Sequence, residues 1–369
     1  KETGVSYSVE TDLTIVNSYS KGLMVLSEVE GNANVTFINV VNTVTEDAYE
    51  KVNGEVAGRS PRGIFYTGEG EFTKGLVVIS TGDGSKVIEP TDFSYMMDFS
   101  EMFYFAPDPC VMECLCKNMY GYNEYVIMSG RVYTRNLSFV EDMFVKYDPQ
   151  VKGDYEAAPF SMYESNDPFF YDQKGKRFIY DDYGKMISVE SASGAFNPAA
   201  MEATMVYGVA FEDNVRAVME DADGHHFVIA AQKRVEYDDD FYNSYIRVIP
   251  IRKVDLNQTD IGEATCFAVS SKDIDFLYYG YQNKIVCMST VTGNVLATYD
   301  GFEEGNKIDY IEFDRSENPN RLYVGVSNGS GKAKSGSIYY LRMSSNGSLE
   351  EENHFNNICG RVVDFEYNK

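Results

Sequence analysis

Tryptophan is missing altogether from the 369 residues, histidine occurs three times, proline ten times and cysteine six times. Positive charge is short as well: 32 Lys and Arg face 57 Asp and Glu, a formal charge of −25. Each shortage excludes something. A surface this acidic repels phosphate backbones and anionic headgroups, so neither nucleic acid nor a membrane surface is an expected partner. No apolar run approaches the roughly 20 residues that a helix needs to cross a bilayer, and membrane insertion of this segment is not expected. Three histidines leave the cysteines short of metal partners, so no zinc site is expected. Cys110, Cys114 and Cys116 alternate with Met112 along CVMECLC and are expected on one strand face, while Cys266, Cys287 and Cys359 fall singly in other strands. They read as small buried hydrophobes rather than a disulfide framework, with a bridge between neighbouring units left open. No nucleophile elbow, zinc-protease helix or nucleotide loop is visible, and no cofactor is expected. The glycines at 68–70 and 82–84 lack the Lys-Ser/Thr ending and the helix of a phosphate loop, so they read as hairpin turns. Lys1 is not an initiator Met, and a mature or trimmed product is the expectation.

Against these shortages stand 29 Tyr and 23 Phe. Aromatic and β-branched residues gather in short segments bounded by turn-formers, and long helical periodicity is absent. From Ala264 to Asp300 four such segments follow one another, ATCFAVS, DFLYYGY, KIVCMST and NVLATYD, as a four-stranded antiparallel meander. Residues 307–343 repeat it as KIDYIEF, RLYVGVS and SIYYLRM, a period of roughly 45 residues that belongs to propeller blades. Earlier units follow the same plan: RGIFYTG with KGLVVIS and SKVIEP, CVMECLCKN with EYVIMSG and RVYTRN turned at 120–123, DPFFYDQ with KRFIYDD and KMISVES, and a longer unit from Thr204 to Val254. GLMVLSE and ANVTFINV form a hairpin short of a partner, which GRVVDFEYN near the C-terminus can supply. The expected fold is therefore all-β: a seven-bladed β-propeller of four-stranded antiparallel blades, closed by N- and C-terminal strands that share a blade. A short helix is expected within TEDAYEKV. The propeller takes residues 21–369, and residues 1–20, with the strand-like stretch 5–16, read as the remnant of an upstream module.

One stretch exceeds what a hairpin needs. Residues 91–109, TDFSYMMDFSEMFYFAPDP, crowd Phe, Tyr and Met together without strand periodicity and close on Pro-Asp-Pro. An inter-blade insertion is expected, either packed over the ring or exposed as a contact surface. The candidate ligand-binding residues are Phe103, Tyr104, Phe105 and Asp108, with Phe169, Phe170 and Tyr171 extending the patch. Two acidic turns, DADGHH at 221–226 and EYDDDFYNS at 236–244, lack the full calcium loop with its terminal Glu and read as solvated; no metal site is assigned, and calcium is expected to bind only weakly.

GLMVLSEVEGNANVTFINV, EMFYFAPDP, DPFFYDQKGKRFIYDD and the ending NRLYVGVSNGSGKAKSGSIYYLRMSSNGSLEEENHFNNICGRVVDFEY together resemble the propeller part of the PKD-like family lipoproteins of Bacteroidetes, across the chain from Gly22 onward. The resemblance implies an exported outer-membrane lipoprotein of the cell envelope. It also implies a PKD-like module ahead of the propeller, whose tail residues 5–16 would be, and a SusC/SusD-type nutrient-uptake context; it brings no catalytic residues. The expected function is a non-catalytic, monomeric binding protein that presents its funnel and inter-blade loops to a glycan, peptide or envelope protein, since exposed Tyr and Phe stack on sugars and anchor protein contacts. The alternative is a glycan lyase or glycoside hydrolase with carboxylates at the central funnel, which a paired-carboxylate, His- or metal-lined funnel would bring to the front. Fold alone decides neither.

Overall fold

Strands such as Leu76–Thr81 (LVVIST) are buried at every position. A strand apolar on both faces needs a sheet stacked on each side, and only an arrangement in which every sheet has two neighbours supplies that. The computed structural model describes residues 19–68, 75–117, 123–137, 144–160, 162–163, 168–237, 244–256 and 259–368, and among them seven sheets form a seven-bladed propeller. Seven hydrophobic clusters fill the spaces between successive blades, one for each neighbouring pair, including the pair formed by the last blade and the first. The expected strand at 5–16 and the turns at 68–70, 120–123 and 236–244 lie wholly or partly outside the described residues.

Blade 1 is closed as expected. Gly22–Val29 and Asn32–Asn39 turn through Glu30 and Gly31, both at positive φ (51° and 83°), as a tight hairpin requires. Arg361–Asn368 pairs antiparallel with Gly22–Val29, matching Gly22 to Asn368 and Glu28 to Arg361, so the chain's last strand becomes the innermost strand of its first blade. The expected helix follows at Ala48–Asn53. Blade 2 (Pro61–Thr67, Leu76–Thr81, Gly84–Ile88, Tyr95–Asp98), blade 6 (Cys266–Val269, Phe276–Tyr281, Lys284–Ser289, Val295–Tyr299) and blade 7 (Lys307–Phe313, Arg321–Ser327, Gly336–Met343, Leu349–Cys359) are four-stranded meanders. Blade 5 runs from Ala203–Phe211 to Ser244–Asp255, and Met162–Tyr163 lies parallel to its inner strand. Blades 3 and 4 contribute three strands each among the described residues.

Two expectations need correcting. Residues 91–109 are not wholly an insertion: Tyr95–Asp98 is the outer strand of blade 2, and a 3-10 turn at Phe99–Met102 follows. The segment hides its strand because an outer strand is half exposed and carries no strict alternation. Nor do Cys110, Met112, Cys114 and Cys116 share a face. The strand begins only at Cys114, so alternation does not run through: Cys110 and Met112 face blade 2, while Cys114 and Cys116 face blade 4. No disulfide joins the six buried cysteines, and burial pushes the Cys110, Cys266 and Cys287 thiols up to about 12. They pack as small hydrophobes, and the raised thiols stay protonated at neutral pH.

Candidate functional site

Inner strands of a propeller face one another across the axis, and there the residues enclose a cavity of about 460 Å³. Six of the seven blades contribute to its wall, with Pro159 and Phe160 of the segment that precedes blade 4. Blade 1 supplies Val363 to Glu366 and blade 2 Arg62, Ile64 and Phe65; blade 3 supplies Glu113 with Leu115, and the segment ahead of blade 4 supplies Phe160. Blade 5 adds Val206 to Val209, blade 6 Ala264 to Phe267, and blade 7 Tyr310, Glu312 and Arg315.

Four of the inner strands carry a β-bulge here. The pairing skips Arg62 in blade 2, Val206 in blade 5, Asp309 in blade 7 and Val363 in blade 1. An extra residue breaks the two-residue period, so successive side chains can turn toward one place, which is why bulges gather beside functional sites. Next to one bulge, Gly63 is needed for space: a Cβ there would lie 2.5 Å from the Phe65 ring and 3.2 Å from Asp364 Oδ2.

Aromatic rings form much of the wall. Phe160 stands edge-on to Tyr207 at 6.4 Å, Tyr207 stacks on Phe267 at 5.6 Å, and across the cavity Tyr310 and Phe365 are 5.8 Å apart. Burial raises the Tyr207 hydroxyl well above its ordinary range, keeping it a neutral hydrogen-bonding group.

Carboxyl groups hold the seam where the ring closes. Asp309 Oδ2 accepts from Val362 N at 3.2 Å, Asp364 Oδ2 from Ile64 N at 2.9 Å, and Glu366 Oε2 from Tyr66 N at 3.0 Å. Side chains of blades 7 and 1 thus bond the backbone of the next inner strand. Glu312 pairs with Arg315 at 3.2 Å and is 17 % exposed. Burial is the first cause of three upward shifts: Glu312 reaches about 8, with the Arg315 guanidinium opposing and Asp364 and Glu366 adding repulsion; Asp364 reaches about 7, opposed by the Ile64 N–H; Asp309 reaches about 6, opposed by Ser327 and the Val362 N–H. The funnel therefore holds neighbouring carboxyl groups that keep their protons to higher pH than solvent-exposed carboxyls.

The candidate patch read from the sequence is divided. Tyr104 and Phe105 are 63 % and 74 % exposed, and Asp108 is exposed. Phe103 is buried, stacked on Tyr147 at 4.7 Å and edge-on to Phe99, while Phe169, Phe170 and Tyr171 are almost fully buried in the cores flanking blade 4. Phe169, Phe170 and Tyr171 do not extend an exposed surface, because a strand between two blades buries both its faces, and Phe103, after the 3-10 turn, packs into the cluster between blades 2 and 3. The cavity residues escaped the sequence reading. Their signal is acid inside otherwise apolar inner strands: Asp309 and Glu312 in KIDYIEF, Asp364 and Glu366 in RVVDFEY. In the DADGHH turn, Asp221 accepts the backbone N–H groups of Asp223 and His225 at 2.9 Å each and lies 3.3 Å from the His225 ring, so the carboxylate caps its own turn.

Among the described residues no helix is long and apolar enough to cross a membrane. No curated protein matches the sequence. Among solved structures, U3-55K is similar with a TM-score of 0.49 at 9 % identity over 83 % of this chain and 84 % of that one. Dihydro-heme d1 dehydrogenase NirN, in complex with DHE, is similar with a TM-score of 0.51 at 10 % identity over 96 % of this chain and 77 % of that one. At that identity the likeness to NirN extends to the fold alone. The model of the PKD-like family matches residues 1–61, which run from the N-terminus through the first hairpin of blade 1 to the start of blade 2, so the match overlaps the seven-bladed β-propeller.

Proposed function

We propose that this is a non-catalytic binding protein of the cell envelope, exported as an outer-membrane lipoprotein, that takes part of a glycan or peptide into the central cavity of its propeller. The observation that carries the reading is the cavity itself: about 460 Å³, walled by six of the seven blades, with stacked aromatic rings beside convergent polar groups. The envelope location rests on the resemblance to PKD-like lipoproteins alone. Residues 1–20 would join the propeller to an upstream module. Tyr19 favours a fixed junction, since its ring stacks on Phe93 at 4.4 Å and its carbonyl accepts from Asn368 Nδ2 at 2.5 Å. Tyr104 and Phe105, with Asp108, offer a second contact for the same ligand or for an envelope protein that delivers it, a SusC/SusD-type system being the expected context.

The test is a calorimetric screen of glycans and peptides against wild type and Ala264→Trp, whose indole would fill the cavity from blade 6. Wild type alone should bind, with comparable melts for both proteins. Equal binding by the filled variant would remove the cavity from the function.

A second reading has one observation in its favour. Glu312 and Asp364 are neighbouring carboxyl groups held partly protonated in a funnel, the requirement for acid–base hydrolysis of a glycan. Binding ranks first because Asp364 and Glu366 already accept backbone N–H groups and Glu312 already pairs with Arg315. Turnover of any screened glycan, lost in Glu312→Gln, would reverse the order.

A further inference from the structure

We infer that the group the cavity receives is a cationic nitrogen, the ammonium or guanidinium of a basic peptide side chain. This deepens the reading of the cavity as the ligand site and rests on it.

Shape and chemistry of the wall point the same way. The Phe160, Tyr207 and Phe267 rings run from blade to blade along one side, and Tyr310 with Phe365 stands on another. Faces of Tyr and Phe attract cations through their quadrupole, most strongly where water is excluded. The ionisable groups on the wall are four carboxyls, Glu113, Glu312, Asp364 and Glu366, against two guanidiniums, Arg62 and Arg315. The other titratable groups there, Tyr207, Tyr310, Cys114 and Cys266, are neutral when protonated. Fully ionised, the wall carries four negative charges against two positive ones.

That excess has a visible cost. Asp364 and Glu366 repel one another and both repel Glu312, and with burial this holds protons on groups that water would strip. Asp314, behind the wall and bonded to Tyr323 at 2.8 Å, adds its charge to the same side. A proton is the smallest cation that relieves such crowding, and an ammonium or guanidinium framed by aromatic rings relieves it without requiring protonation. The whole molecule favours the same guest, because a formal charge of −25 draws cations toward the surface and repels anions. An acidic ligand would meet this field twice, outside and within.

Capture of a cation displaces protons, so affinity must rise with pH through the range in which these carboxyls ionise. The probes are N-acetyl-lysinamide and N-acetyl-argininamide beside N-acetyl-citrullinamide, an uncharged isostere, and glucosamine beside N-acetylglucosamine. Calorimetry at pH 8 should give at least a tenfold tighter Kd for the lysine or arginine probe than for citrulline. The advantage should shrink at least threefold at pH 5.5, and buffers of different ionisation enthalpy should reveal proton release. Glu312→Gln, which keeps shape and removes one charge, should lose most of the discrimination while melting as wild type or higher. Should that variant fail to fold, the pH dependence and proton release of wild type still decide. Equal Kd for the charged and uncharged amino-acid probes, or preference for glucosamine alone, overturns the inference. Uncharged glycans or peptides that bind wild type but not Ala264→Trp would leave the cavity as the ligand site and remove only its cationic guest. Binding insensitive to Ala264→Trp removes both.

Discussion

Glu124 and Arg135 are the clearest case of a charge that the fold can carry only in company. They are 2 % and 1 % exposed and lie 2.8 Å apart between blades 2 and 3. Arg135 Nη2 also donates to Thr67 Oγ1 at 3.1 Å and Nη1 to the Val145 carbonyl at 3.2 Å, while Gly68 N donates to Glu124 Oε2 at 2.9 Å. The Thr67 and Tyr147 hydroxyls donate to the same carboxylate, and the guanidinium lies 4.6 Å from the centre of the Tyr147 ring. Removing one partner strands the other without water, at a cost of about 3–5 kcal/mol. Glu124→Ala should show that loss in urea unfolding, with Glu124→Gln less affected; a variant within 0.5 kcal/mol of wild type, roughly the scatter of neutral surface changes, would mean the pair is not held. The aromatic loop gives a second contrast. Phe103→Ala should cost about 3–5 kcal/mol, as for other buried Phe, whereas Tyr104→Ala with Phe105→Ala should leave the melt nearly unchanged, because their rings already face solvent. Equal destabilisation by the two changes would show that the loop packs as one unit.

Among the elements, the strand Arg361–Asn368 has no substitute. It lies between the Gly22–Val29 strand and the inner strand of blade 2, and it carries Asp364 and Glu366 to the backbone of Ile64 and Tyr66. Deleting residues 361–369 removes the innermost strand of blade 1 and opens the seam with blade 2, leaving an unpaired edge. Aggregation in size-exclusion chromatography and a lowered melt are expected; a monomer with an unchanged melt would exclude this closure. The strand was legible in sequence because VVDFEY alternates and the GLMVLSE hairpin needed a partner. Inner and middle strands were legible generally, since burial on both faces forces runs such as LVVIS and RLYVGVS. Outer strands were less so: Leu349–Cys359, LEEENHFNNIC, is mostly exposed and reads as polar chain, and Tyr95–Asp98 was masked by its aromatic neighbours. A central funnel was legible from the propeller fold, but the residues that line the cavity were not. The cavity depends on four bulges, and a bulge is a single unpaired residue that leaves composition and periodicity almost untouched.

For the whole molecule, the raised carboxyls and the overall charge act in one direction. Asp309, Asp364 and Glu312 have folded-state values of about 6, 7 and 8, above the ordinary carboxylate value near 4 that the unfolded chain would show. Between about pH 4 and pH 8 the native state therefore binds more protons than the unfolded state, and stability falls as pH rises. The contribution is fully present below pH 4 and is lost as pH passes through the folded values. Asp275, lowered by the Arg216 and Arg252 guanidiniums against the cost of burial, works the other way and loses its contribution only as pH falls below the same ordinary value. Growing self-repulsion on the way to a charge of −25 adds to the alkaline loss. The melting temperature should accordingly peak in the mildly acidic range and decline toward pH 8.5. Added salt should recover part of the decline by screening the surface, but little of that due to Glu312, which is largely enclosed. Glu312→Gln should flatten the alkaline limb without moving the acidic one, because it removes a proton site without removing a carboxylate bonded to the backbone of the next blade. A melt that rises between pH 5 and 8, or one that Glu312→Gln leaves unaltered at every pH, would show that the carboxyls of the funnel ionise as freely as those on the surface.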